Sequence, residues 1–263
     1  MNSTPSSLLL GALLAAGGSR DLPAAALLDA SAGPNQVALV ELYTSEGCSS
    51  CPPAEAWLSE AKTHPRLWRD FVPLSFHVDY WDGLGWPDRF AKKAYTQRQY
   101  AYAQFWRTES VYTPGFVRDG REWTNWRAGW PVASDGTASQ PGTLHLRETS
   151  PGHFTLEFTP RRANPPGLAQ LALLGSELQS HPTAGENSGR RLPHDFVVLT
   201  LLEKPLHAPA AGSTNAPGTL NAEFTLPRPA SPDARHPALA AWVTAGPGDP
   251  RPLQCVGAWW PAE

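Results

Sequence analysis

Two cysteines three positions apart, Cys48 and Cys51, stand between an apolar run and the start of a helix, and this placement restricts the fold more than any other feature of the 263-residue chain. Residues 37–44, VALVELYT, are apolar with little alternation, the pattern of a strand covered on both faces. Ser45-Glu46-Gly47 punctuates that run. Residues 53–62, PAEAWLSEAK, then have a helical pattern, with Pro53 tolerated in the first turn because its missing N–H has no intrahelical partner there. The cysteines therefore sit on a strand-to-helix turn.

The next segment, 71–82, alternates: Val72, Leu74, Phe76 and Val78 share one face, and Ser75, His77 and Asp79 the other. Because a strand–helix–strand crossover is right-handed and its strands parallel, both C-terminal ends fall on one sheet edge, and Asp79 and Tyr80 are expected near the cysteine turn. Residues 88–106 predict a long amphipathic helix with Asp88 available as its N-terminal cap. Thr113-Pro114 follows, then a short strand at 115–118 and an Asp119-Gly120 hairpin turn. A first domain over 35–132 is expected, with a small, polar linker at 133–142. Beyond it, strand-like runs at 143–148, 153–159, 168–175, 195–202, 219–226, 238–244 and 253–260 predict a β-rich, sandwich-like domain over 143–263. The connection at 176–195 is long enough to suggest function, because structureless loops beyond about 12–15 residues are uncommon.

Charge narrows the partners. With 21 basic and 24 acidic side chains the net charge is -3, with no basic tract suited to nucleic acid or anionic membranes. The apolar run at 8–18, LLLGALLAAGG, is too short to span a bilayer and has the size of an export-signal core, although MNSTPSS before it carries no Lys or Arg. Residues 1–34 are thus read as a signal peptide or an N-terminal extension, and the location as periplasmic or secreted. Cys255, in an apolar stretch, reads as a small buried hydrophobe.

At a helix N-terminus the free N–H groups favour thiolate over thiol, and such settings lower cysteine pKa values to about 3.5–7.5. Cys48 is then the attacking thiol and Cys51 the resolving one. Three chemistries remain open for the pair: redox exchange, a structural disulfide, and a copper or zinc clip completed by His77. Asp79 reads either as a buried proton shuttle for Cys51 or as a cap on the turn before Tyr80-Trp81. Trp57, Tyr80, Trp81 and Trp86 read as packing or as a substrate platform.

The stretches VELYTSEGCSSCPPAEAWL, LSFHVDYWDGLGWPDRFA, YTQRQYAYA, SVYTPGFVRDGR and AGENSGRRLPHDFVVL resemble domain-of-unknown-function family 1223 (DUF1223), a mostly bacterial set of thioredoxin-like proteins with predicted export signals. The resemblance implies an α/β, thioredoxin-like domain bearing the Cys-x-x-Cys motif. It also implies a cis Thr113-Pro114 step across from the cysteines, where a substrate peptide pairs. The usual Trp-Cys-Gly-Pro-Cys sequence is replaced by Gly47-Cys48-Ser49-Ser50-Cys51-Pro52-Pro53, so the direction of electron flow does not transfer. The stretch carrying Glu186, Asn187, Arg190, His194 and Asp195 also matches; composition makes it a solvated hairpin loop, and the sharper expectation folds it over the cysteine edge. The expected activity is extracytoplasmic thiol–disulfide exchange on protein or small-molecule thiols. Cys48, Cys51, Asp79 and His77 are its chemical groups, Thr113, Pro114, Tyr80, Trp81 and Trp86 its substrate contacts, and no cofactor is required. The alternatives are metal binding or a non-catalytic scaffold.

Overall fold

Apolar neighbours on both sides of Ala38–Thr44 bury every residue of that strand, and the fold is assembled around it. The computed structural model describes residues 1, 27–130, 139–162, 167–209, 216, 218–228 and 236–261; the apolar run at 8–18 and positions 133–138 of the expected linker lie outside the described residues. The first half comprises β1 (Asp29–Ala32), β2 (Ala38–Thr44), α1 (Pro52–Ser59), β3 (Phe71–His77), α2 (Lys93–Trp106), β4 (Gly115–Arg118) and β5 (Arg121–Glu122). The second comprises β6 (Gly142–Ser150), β7 (His153–Pro160), β8 (Leu168–Gly175), β9 (Leu178–Ser180), β10 (Leu192–His194), β11 (Val197–Pro205), β12 (Leu220–Thr225), β13 (Ala238–Gly246) and β14 (Asp249–Trp259). The protein is a mixed α/β structure dominated by strands.

Strands β2 and β3 run parallel, in register from Ala38 opposite Phe71 to Thr44 opposite His77, and α1 lies in the crossover between them. The helix is shorter than 53–62: it ends at Ser59 and tightens into a 3-10 turn over Glu60–Thr63. β4 pairs antiparallel with the other edge of β2, placing Gly115 opposite Tyr43. Asp119 and Gly120 take φ of 51° and 76°, the left-handed pair that a two-residue hairpin requires.

Helix α2 begins at Lys93 rather than at 88, and Asp88 does not cap it. The Asp88 carboxylate instead accepts from the backbone N–H groups of Glu46 and Phe90 and bonds His77. A buried imidazole and two otherwise unpaired amides outcompete a helix terminus that water can satisfy.

All seven strands expected after the linker form, but they divide between two sheets. β6, β7 and β12 make a four-stranded sheet with β1 in the order β1-β6-β7-β12, so residues 29–32 of the N-terminal segment are a strand. The others continue the first sheet into eight strands, β14-β13-β8-β11-β3-β2-β4-β5. The junction is one parallel pair, Val197 opposite Ser75, with the Ser75 N–H donating to the Phe196 carbonyl. Without β11, β3 would be an open edge with unpaired ladder groups, although Ser75 and His77 on its second face are as buried as its apolar side chains. The remaining pair, β9 and β10, is an antiparallel hairpin inside the long connection.

Two polar staples close the layers. Buried Glu148 accepts from the Leu28 and Gly152 amides and the Trp260 indole. Gln254 accepts from Val37 and Cys255 and donates to the carbonyls of Gly33, Asn35 and Gly142.

Candidate functional site at the cysteine edge

Parallel pairing of β2 with β3 brings three things to one sheet edge: the turn after Thr44, the imidazole of His77, and the start of β4 at Gly115. Cys48 and Cys51 form a disulfide there, with Cα atoms 5.4 Å apart. Cys51 is the residue before the first turn of α1, and Pro52 and Pro53 begin the helix. Both cysteines are fully buried, while Ser49 and Ser50 between them are exposed.

The Thr113–Pro114 peptide is cis and immediately precedes the residue opposite Tyr43. Trp81 joins it to the cysteine turn: its indole N–H donates to Thr113 Oγ1 at 2.9 Å. A Cβ placed on Gly47 would stand 3.1 Å from Trp81 Cβ, so Gly47 admits the close approach that a side chain would crowd. Tyr80 donates to Gln99 of α2, and burial pushes its phenol up to about 12. Trp86 donates to Glu46 at 2.5 Å. Trp57 belongs to packing, stacked 4.0 Å from Trp130 among Phe116, Trp123 and Trp126.

Asp79 faces α2. Thr96 Oγ1 accepts its backbone N–H and donates to its carboxylate, and these contacts reach neither Cys51 nor the turn at Tyr80-Trp81. The carboxylates beside the cysteines are Glu46 and Glu55, which the pattern of the sequence left unnoticed. Their signal was position: Glu46 two residues before Cys48, and Glu55 one helical turn after Cys51.

Behind the disulfide, buried polar groups form a chain. Glu55 Oε1 accepts from Thr44 at 2.6 Å, and its other oxygen lies 2.5 Å from His194 Nδ1. His194 Nε2 is 2.7 Å from Ser180 and 3.6 Å from Glu46 Oε1. The His77 and His194 rings meet edge to face with centroids 5.2 Å apart, and His77 Nδ1 is 2.6 Å from Asp88 Oδ2. Burial disfavours the His77 cation, yet Asp88, Glu55 and Glu46 together raise its pKa to about 9. Burial likewise pushes Glu55 up, but His194 and His77 bring it below the ordinary carboxylate value.

The long connection folds over this edge as a cap. Asn187, buried, donates from Nδ2 to the carbonyls of Glu46 at 2.8 Å and Cys48 at 3.0 Å. Arg190 donates to Asn187 Oδ1, and exposed Glu186 accepts the Ser49 N–H at 3.0 Å. Thus Glu186 and Asn187 bond the cysteine turn directly, while Arg190 reaches it through Asn187 and His194 through Glu55. Asp195 does not: it accepts from the Glu177 amide and pairs with Lys62. Cys255 is buried, donates to the Val37 carbonyl, and is held protonated by burial.

The family described as "Protein of unknown function (DUF1223)" matches residues 39–244. No curated protein matches the chain. The fold resembles the crystal structure of protein AGR_C_4864 from Agrobacterium tumefaciens, at 21% identity and a TM-score of 0.57, over 87% of this chain and 94% of that one. It also resembles HBP35 of Porphyromonas gingivalis, at 14% identity and a TM-score of 0.58, over 86% of this chain and 76% of that one.

Proposed function

Since the chain belongs to the DUF1223 family, whose activity is undefined, we propose for it thiol–disulfide exchange at Cys48–Cys51 on a thioredoxin-like arrangement of β2, α1, β3 and β4. The observation that carries this reading is a disulfide at the start of a helix, on the same sheet edge as a cis Thr113–Pro114 peptide. A ring of so few residues stabilises a fold weakly, by about 2 kcal/mol in the chain-entropy account, so stability is a poor reason for the pair.

Exchange proceeds through a mixed disulfide. A substrate thiolate attacks Cys48 Sγ and Cys51 leaves as thiolate; a second substrate thiolate then displaces Cys48, oxidising the substrate and leaving the reduced dithiol. The reverse sequence reduces a substrate disulfide. Thr113 and Pro114, with Trp81 holding Thr113, align the substrate chain, and Tyr80 and Trp86 flank the approach. The setting in this reading is extracytoplasmic, where disulfides persist; among the described residues no helix is long and apolar enough to cross a membrane.

Insulin reduction by dithiothreitol is the test: wild type accelerates it and Cys48→Ser does not. Equal rates for the two remove the enzymatic reading. A second reading, a permanently oxidised scaffold, is favoured by the full burial of both cysteines. A disulfide that survives millimolar dithiothreitol in the folded protein would select it.

A further inference from the structure

The buried groups behind the disulfide are more numerous than a hydrogen-bonded core needs. Glu55, His77 and His194 each offer a ligand atom, all within 4.8 Å of one another, and all three are buried. They come from separate elements: the first helix, the end of a central strand, and the base of the cap hairpin.

Two atoms in this cluster have no hydrogen-bond partner although fully buried, His77 Nε2 and Glu46 Oε1. The first decides the chemistry. Asp88 holds His77 Nδ1, which leaves Nε2 as the nitrogen without a partner beside His194 and Glu55, where a bound cation would take the place of its proton. A carboxylate on the far nitrogen is how metal-ligating imidazoles are oriented. Ser180 Oγ lies 2.7 Å from His194 Nε2 and can accept from it, while Nδ1 lies toward Glu55. Glu46, Glu55 and Asp88 also bring three carboxylates into a volume with only two imidazoles, and buried charge of one sign demands compensation.

We propose that Glu55 Oε2, His77 Nε2 and His194 Nδ1 form a three-ligand site for a divalent transition-metal cation, zinc being the best match, distinct from the cysteines. Two imidazoles and one carboxylate make a borderline donor set, suited to zinc, and three protein ligands leave a fourth position open. Glu46, its Oε2 held by the Trp86 indole, faces the cluster as a further negative charge. The cation takes the place of the hydrogen bond between His194 and Glu55 and cross-links α1, β3 and β10 behind the cysteine turn. The site uses no cysteine, so it stands whether or not the exchange reaction does.

The test is zinc content after equilibration with excess zinc and exhaustive dialysis. The expected result is one zinc per chain in wild type and in the Cys48→Ser/Cys51→Ser variant, and at least a tenfold loss of affinity in His77→Ala and His194→Ala. Cobalt(II) added to wild type provides a readout that does not depend on a variant folding: visible d–d bands without a thiolate charge-transfer band. Absence of zinc from wild type, zinc lost only with the cysteines, or a thiolate band with cobalt overturns the proposal.

Discussion

Asp119 shows how one side chain ties pH to stability. At the tip of the β4–β5 hairpin it exchanges two hydrogen bonds with Leu39, its backbone N–H donating to that carbonyl and its carboxylate accepting that amide. Burial, helped by Glu41, pushes its pKa from 3.8 up to about 6 against the pull of Leu39 and Arg118. A folded-state pKa above the unfolded one means stability is fully present below 3.8 and lost as pH rises through about 6. Two pKa units correspond to about 3 kcal/mol; with the side chain 26% exposed, screening leaves about 1–2 kcal/mol. Asp119→Asn keeps the acceptor and tolerates the left-handed backbone. It is expected to raise the urea midpoint at pH 7.5 and to flatten stability between pH 4 and 6.5, while wild type declines over that window.

Among the elements, the β9–β10 hairpin is the one whose tip is hydrogen-bonded to the cysteine turn. Its tip reaches back across the chain so that one side chain, Asn187, satisfies two carbonyls of the cysteine turn. Each such bond contributes about 1 kcal/mol net. If reduction requires the cap to swing away, Asn187→Ala is expected to speed dithiothreitol reduction of Cys48–Cys51 by roughly ten- to thirty-fold, read by thiol trapping, with a smaller fall in global stability. An unchanged rate would show that reductant reaches the sulfurs by another route.

At the scale of the molecule, the eight-stranded sheet crosses the expected domain boundary. The β11–β3 ladder is slender, but other links span the same divide: Trp68 packs on Phe196 and Trp259, Tyr102 donates to the Pro250 carbonyl, and Gln254 bonds on both sides. Unfolding in urea is therefore expected as one transition. Tryptophan fluorescence, weighted toward the Trp57–Trp130 cluster, should coincide with far-UV circular dichroism of the strands. Two separated midpoints would show instead that the halves unfold independently.

The local units are legible in the chain alone. The buried run at 37–44, the cysteine turn, the 115–118 strand with its Asp-Gly turn and all seven later strands follow from hydrophobic period and turn chemistry, which act over a few residues. Which strands share a sheet is not legible there, because the β11–β3 edge and the β1–β6 edge are pairings between segments far apart in the chain. Nor is the company of His77: an alternating strand places that imidazole on one face, but Asp88, Glu55 and His194 reach it only after a helix, a turn and a hairpin have folded against the same edge. A buried polar cluster drawn from four segments leaves no periodic trace, since its members are joined by burial and charge rather than by spacing.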